Sequence, residues 1–182
     1  MSERLDILTV LDDKEAPIPF DRLEESSFAP AVRTLIGRLD KTVEEVTAVE
    51  NPTWDTVCEP LDNTCEDLNY VWSVIAHLNS VVDTPALRAI YNELILPISE
   101  AFTRLGQNEA LYAQYKKMKA GDEFKKLSAT RQRILDKELE GFRLSGADLN
   151  AADKARMMEI SREAAQLSQK FSENLLDCTN DY

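Results

Sequence analysis

The chain has 182 residues, 43% of them hydrophobic, enough for one domain that builds a core without metal or disulfides. Its formal net charge of −12, from 33 acidic and 21 basic residues, has the wrong sign for a nucleic-acid backbone or an anionic membrane surface. Five glycines are too few for glycine-lined phosphate loops or many tight hairpins.

Residues 1–29 read as an extended lead-in with at most a turn or two of helix. The start, MSERLDILTVLDD, has no basic n-region and is not a secretory signal. Pro17 and Pro19 favour an extended Ile18; Ile18 and Phe20 are expected in a groove of the body, with the acidic run 21–25 facing water. The first firm helix begins near Pro30, capped by Ser26 or Ser27. Val32, Leu35, Ile36, Leu39, Val43 and Val46 form its apolar face, and Pro52 ends it. Thr53 caps the next helix, with Thr56 at its third position, not as a true box residue. Pro60 predicts a short turn, a kink and then a long helix over 61–82. Its apolar side is Leu61, Cys65, Leu68, Val71 or Trp72, Ile75, Leu78 and Val82.

Thr84 caps and Pro85 opens another helix, with Leu87, Ile90, Tyr91, Leu94, Ile98, Phe102 and Leu105 continuing the pattern. Pro97 inside it predicts a kink, not a boundary. Asn108 caps a short helix holding Leu111, Tyr112, Tyr115 and Met118, which Gly121 ends. Ser128 caps a helix through Ile134, Leu135, Leu139 and Phe142, and a turn with glycines at 141 and 146 follows. From 150 to 182 there is neither proline nor glycine. Met157, Ile160, Ala164, Leu167, Phe171 and Cys178 recur at helical spacing there, widened by Leu175 and Leu176. This stripe is expected to pack in the core. Asn150 caps its start. Its great length and weak stop at Asn180 suggest that the sequence continues in a larger parent.

The expectation is an all-α fold of six or seven mostly antiparallel helices, several long, with proline kinks. The division is a lead-in, 1–29, and one helical domain, 30–182. Acidity is an N-terminal property, because residues 108–182 carry 13 acids and 13 bases. The three cysteines have no zinc spacing and read as reduced thiols in a cytoplasmic protein. No window reaches the roughly 18 apolar residues of a membrane span.

Chemistry is sparse. His77 is the lone histidine, whereas a catalytic zinc site takes about three protein ligands; a structural hydrogen bond is its expected role. Cys58 and Cys65 read as core or boundary thiols. The acidic pairs Glu44 and Glu45, Glu66 and Asp67, and Asp136 and Glu140 have no glutamate–x–x–histidine partner and read as solvated surface. Lys116, Lys117, Lys119, Lys125 and Lys126 form one basic cluster, without interleaved aromatic platforms. No catalytic, cofactor-binding or metal-ligating residue is assigned.

Two stretches are distinctive: HLNSVVDTPALRAIYNELILPISEAFTRLGQNEALY, 77–112, and DKELEGFRLSGADLNAADKARMMEISREAAQLSQKFSENLLD, 136–177. With FAPAV at 28–32 and TWDTVCEPLD at 53–62, the chain resembles the N-terminal region of the oligopeptidase A and thimet oligopeptidase family of zinc metallopeptidases. The resemblance implies helical lobes around a channel that admits short peptides. It also implies a zinc site built on HExxH and a downstream glutamate, all in the C-terminal half of the parent and absent here. It makes this chain a non-catalytic part of the channel wall, with no cofactor of its own. Its expected partners are the parent's catalytic lobe, short peptides, or a second copy through the exposed lobe face. The alternative is a free-standing helical adaptor that binds peptides or proteins.

Overall fold

The computed structural model describes residues 4–180. Seven α-helices make up most of it: α1 (Phe28–Thr47), α2 (Glu59–Val81), α3 (Pro85–Gly106), α4 (Glu109–Ala120), α5 (Asp122–Lys126), α6 (Ala129–Leu144) and α7 (Ala151–Asn180). Residues 1–3 of the expected lead-in and 181–182 of the expected last helix lie outside the described residues. The one strand-like feature among the described residues is an isolated parallel bridge between Leu5 and Leu23.

α1 and α2 pack most extensively on each other, α3 lies against both, and α4 joins α1 and α6. The apolar faces of these helices meet in one core. Val32, Leu35 and Leu39 of α1 join Leu68, Val71 and Ile75 of α2, Leu87 and Leu94 of α3, and Leu111 and Tyr115 of α4. The lead-in contributes too: Ile7, Val10 and Leu23 are buried there. Ile18 is packed at its edge, while Phe20 is exposed.

Local chemistry explains most boundaries. Thr84, Asn108 and Ser128 accept hydrogen bonds from the amides of Leu87 (3.2 Å), Leu111 (2.8 Å) and Arg131 (3.3 Å), each quieting an otherwise orphaned helix-start donor. Asn150 does the same for Asp153, at 3.0 Å. α3 stays one helix through Pro97, which removes a single amide from the ladder.

Four expectations are corrected. Ser27 does not cap α1; its hydroxyl accepts from the Ile7 amide (3.0 Å) and donates to the Glu24 carbonyl (2.6 Å), tying the lead-in down. Thr53 and Thr56 do form a reciprocal capping box, because the Thr56 hydroxyl accepts from the Thr53 amide at 3.0 Å. Pro60 stands where the expected short turn gives way to the expected long helix, but the turn is π-helical and α2 starts at Glu59. A wide π-helical turn, Trp54–Cys58, feeds straight into α2, and Pro60 sits in the first turn of that helix, where its missing N–H leaves one carbonyl of the preceding turn without a helical donor.

The largest departure is α7. Ile160, Leu167, Phe171 and Leu175 are 51%, 59%, 70% and 60% exposed, and Ala164 and Cys178 are exposed as well. The helix lies on α3 through a different face, on which Met157, Met158, Ala165 and Leu176 alternate with polar residues. Arg162 pairs with Glu100 at 2.7 Å and Asp177 with Arg88 at 2.7 Å, Glu173 accepts from Asn92 at 2.7 Å, and Lys154 pairs with Glu109. Gln169 is buried between these contacts. Periodicity located the apolar stripe correctly, but it carries no information about which side of α7 meets α3.

Candidate functional site

His77 is exposed. Its ring lies 5.2 Å from that of Phe20, tilted, in place of the structural hydrogen bond expected of it. All members of the acidic pairs except Glu44 are tied to lysines. Lys14 bridges Glu66 (3.0 Å) and Asp67 (2.8 Å), Lys119 holds Asp136 (2.6 Å), Lys137 holds Glu140 (2.6 Å), and Lys41 reaches Glu45 (3.4 Å). The basic cluster is spent locally: Lys116 lies over the Tyr112 ring, Lys119 over Phe124, Lys125 on Asp122 and Lys126 on Glu123. Lys117 donates to the Glu50 carbonyl.

Among the described residues, no group of three or more His, Cys, Asp or Glu side chains is placed to hold a metal ion. The residues present do not fit a zinc ion, which the resemblance places in the C-terminal half of the parent: the lone histidine stands beside Phe20, and most carboxylates of the acidic pairs are engaged by lysines. No helix among the described residues is long and apolar enough to cross a membrane.

The chemically richest place is a cleft of about 390 Å³ lined from α2, α3, α4 and α6, gathering Asp62, Cys65, Asn69, Tyr115 and Glu138. Neighbouring Cys58 is a buried free thiol, and Cys65 is half-buried. Burial pushes the Cys58 thiol up to about 12, against a smaller lowering from its hydrogen bond with Tyr115. Burial, then the charges of Asp62 and Glu138, push Cys65 up to about 11. Both stay protonated at neutral pH and are poor nucleophiles. Burial also raises the Tyr115 phenol and the Asp62 carboxyl; for Glu138, burial is joined by the Asp62 charge. Tyr115 packs its ring on Phe142, 5.2 Å between centroids, as its helical spacing with Tyr112 suggested. The meeting of Asp62 and Glu138 was not legible: they lie on helices far apart in sequence, and no spacing marks either one.

A second residue invisible in sequence is Gln114. It is buried, and its amide donates to the carbonyls of Thr47 (2.8 Å) and Val49 (2.9 Å), closing the end of α1.

These features define an all-α domain of stacked, mostly antiparallel helices, with clefts but no metal-ligand cluster among the described residues. Residues 32–154 match the family model described as Neurolysin/Thimet oligopeptidase, N-terminal domain. The chain belongs to that family. It is 33% identical over 180 residues to "Organellar oligopeptidase A, chloroplastic/mitochondrial" of Arabidopsis thaliana, covering 99% of this chain and 23% of that protein. It is 33% identical over 164 residues to "Probable cytosolic oligopeptidase A" of the same plant, covering 90% and 23%. Identity to "Oligopeptidase A" of Escherichia coli (strain K12) is 33% over 162 residues, covering 88% and 24%. The chain thus spans about a quarter of the length of these relatives.

Proposed function

We propose that the chain is the non-catalytic helical N-terminal domain of an oligopeptidase A-like zinc metalloendopeptidase, where it forms part of the substrate-channel wall. The observation that carries this reading is the match of residues 32–154 to the family's N-terminal domain. Its support from the fold is physical. Long helices capped at their starts and packed through one core make a stiff wall, and stiffness is what positioning a short peptide requires. In this reading residues 30–182 act as one helical domain, with 1–29 as its lead-in. The partner is the catalytic lobe of the parent, which supplies the zinc. The site of action is cytoplasmic; one relative is described as cytosolic and another as chloroplastic or mitochondrial.

A chimera tests this. The corresponding N-terminal quarter of Escherichia coli oligopeptidase A is replaced by this chain. The expected product cleaves a short quenched-fluorescence peptide and leaves a folded protein substrate intact, while the 182-residue chain alone cleaves neither. A folded, zinc-loaded chimera with no peptidase activity overturns the channel-wall role. Chelator-sensitive cleavage by the chain alone overturns the non-catalytic one.

The second reading, a free-standing helical adaptor, is favoured by the exposed apolar stripe of α7. It predicts saturable binding of short peptides by the chain alone.

A further inference from the structure

Ile160, Ala164, Leu167 and Phe171 follow one another at steps of four, three and four, the spacing of a two-helix seam. All four are exposed along α7. Shallow clefts flank the inner edge of this stripe. One of about 440 Å³ is lined by Phe102, Met157, Ser161 and Ala165, and one of about 300 Å³ by Asn79, Ser172, Leu175 and Leu176. On the outer edge stand Glu163 and Lys170, seven residues apart. Neither joins any of the ion pairs among the described residues, although most charged side chains on the other face of α7 do.

We propose that the stripe is covered by a second copy of this chain, the two α7 helices pairing antiparallel about a two-fold axis. Charge complementarity selects this occupant and orientation. When Ala164 meets the partner's Leu167, Ile160 meets the partner's Phe171, so each layer sets a smaller side chain against a larger one. The same register puts Glu163 opposite the partner's Lys170, and the two-fold axis repeats that pair. A parallel pairing would set Glu163 against the partner's Ser168 and Lys170 against the partner's Leu175, leaving both charges unanswered. Over Ala151–Asn180 the helix carries five acidic and four basic residues, so its face escapes the self-repulsion of the acidic N-terminal half. The seam from Ile160 to Leu175 is about 22 Å long, which places the contact in the weak class that buries less than about 1,200 Å². The remaining length of an oligopeptidase A-like chain is the competing occupant of the face.

Sedimentation of the full 182-residue chain from ~1 to ~500 µM tests the proposal. A reversible monomer–dimer equilibrium is expected, half-associated at roughly 10–100 µM. Phe171→Glu weakens it about tenfold or more with unchanged helical circular dichroism and Tm, and Leu167→Lys serves as the independent second variant. Glu163→Lys and Lys170→Glu each weaken association by roughly twofold to fivefold, and the double variant restores it. A monomer at every concentration overturns the proposal, as would occur if the face serves only the rest of a longer chain. So does open-ended aggregation, or a dimer indifferent to Phe171→Glu. A double charge swap that fails to restore association overturns the antiparallel pairing. The peptidase chimera reads none of these outcomes, so the two tests fail separately.

Discussion

Gln114 shows what one buried amide does. Thr47 and Val49 leave carbonyls at the end of α1 with no helical donor, and the Gln114 side chain supplies both bonds. Gln114→Leu keeps much of the volume and removes the donor. It is expected to lower stability by about 1–3 kcal/mol, read as a lower urea midpoint with an unchanged slope. The thiols separate in the same local way. Cys58 is buried, Cys65 half-buried and Cys178 exposed, and burial holds the first two well above the ordinary thiol value. A disulfide reagent at pH near 8 is expected to label Cys178 at once and Cys58 only on unfolding. Equal labelling rates in the native chain would contradict that burial. Residues that act on their own neighbours were legible in sequence: Thr84, Asn108, Ser128 and Asn150 cap as expected. Gln114 was not, because its partners lie more than sixty residues away and a glutamine in an amphipathic helix has no distinctive spacing.

At the scale of elements, α6 brings Glu138 to the cleft wall that α2 lines with Asp62. Both residues keep solvent exposure, but the cleft walls partly desolvate both carboxyls and raise them, and the Asp62 charge further disfavours an ionised Glu138. In the unfolded chain both return to about 4. Between that value and the raised native one, the native state binds more protons than the unfolded state. Stability therefore falls as pH rises through this window and stays lower at neutral pH. Glu138→Gln removes one charge. The variant is expected to be more stable than the parent at pH 7, with the difference closing as pH approaches ~4. Paired thermal melts at the two pH values measure it; a variant no more stable at pH 7 would mean that Glu138 carries no strain. The helices themselves were legible because apolar spacing and caps act within one segment. The join at Pro60 was not, since a wide π-helical turn differs from an α-turn by one residue of register that no side-chain pattern marks.

For the whole molecule, stability is divided unevenly. Every member of the buried apolar cluster lies between Ile7 and Ala147, so α7 adds no side chain to it. α7 is held on α3 by the half-buried Met157, Met158, Ala165 and Leu176 together with a row of charged and polar contacts. Arg88 is the busiest of them, donating to Asp83 at 2.7 and 3.1 Å and to Asp177 at 2.7 and 3.1 Å. The all-α stack was foreseen, but this asymmetry was not: a thirty-residue amphipathic stretch reads as core when its surroundings are unknown, and only the packing reveals that the side away from its main apolar stripe is the one used. Contacts of that kind between partly exposed charges are screened by salt, whose Debye length shrinks from about 10 Å at 0.1 M to about 3 Å at 1 M. Elements with few buried apolar contacts open below the global unfolding energy. Amide exchange at concentrations where the chain is monomeric is therefore expected to run faster in α7 than in α1, α2 and α3, and to accelerate in α7 alone at 1 M salt. Arg88→Ala should reproduce the salt effect at low ionic strength, loosening α7 near Asp177 while α1 and α2 keep their protection. If α7 exchanged as slowly as α2 under all these conditions, its attachment would owe more to Gln169, Leu176 and the half-buried methionines than to the charges around them.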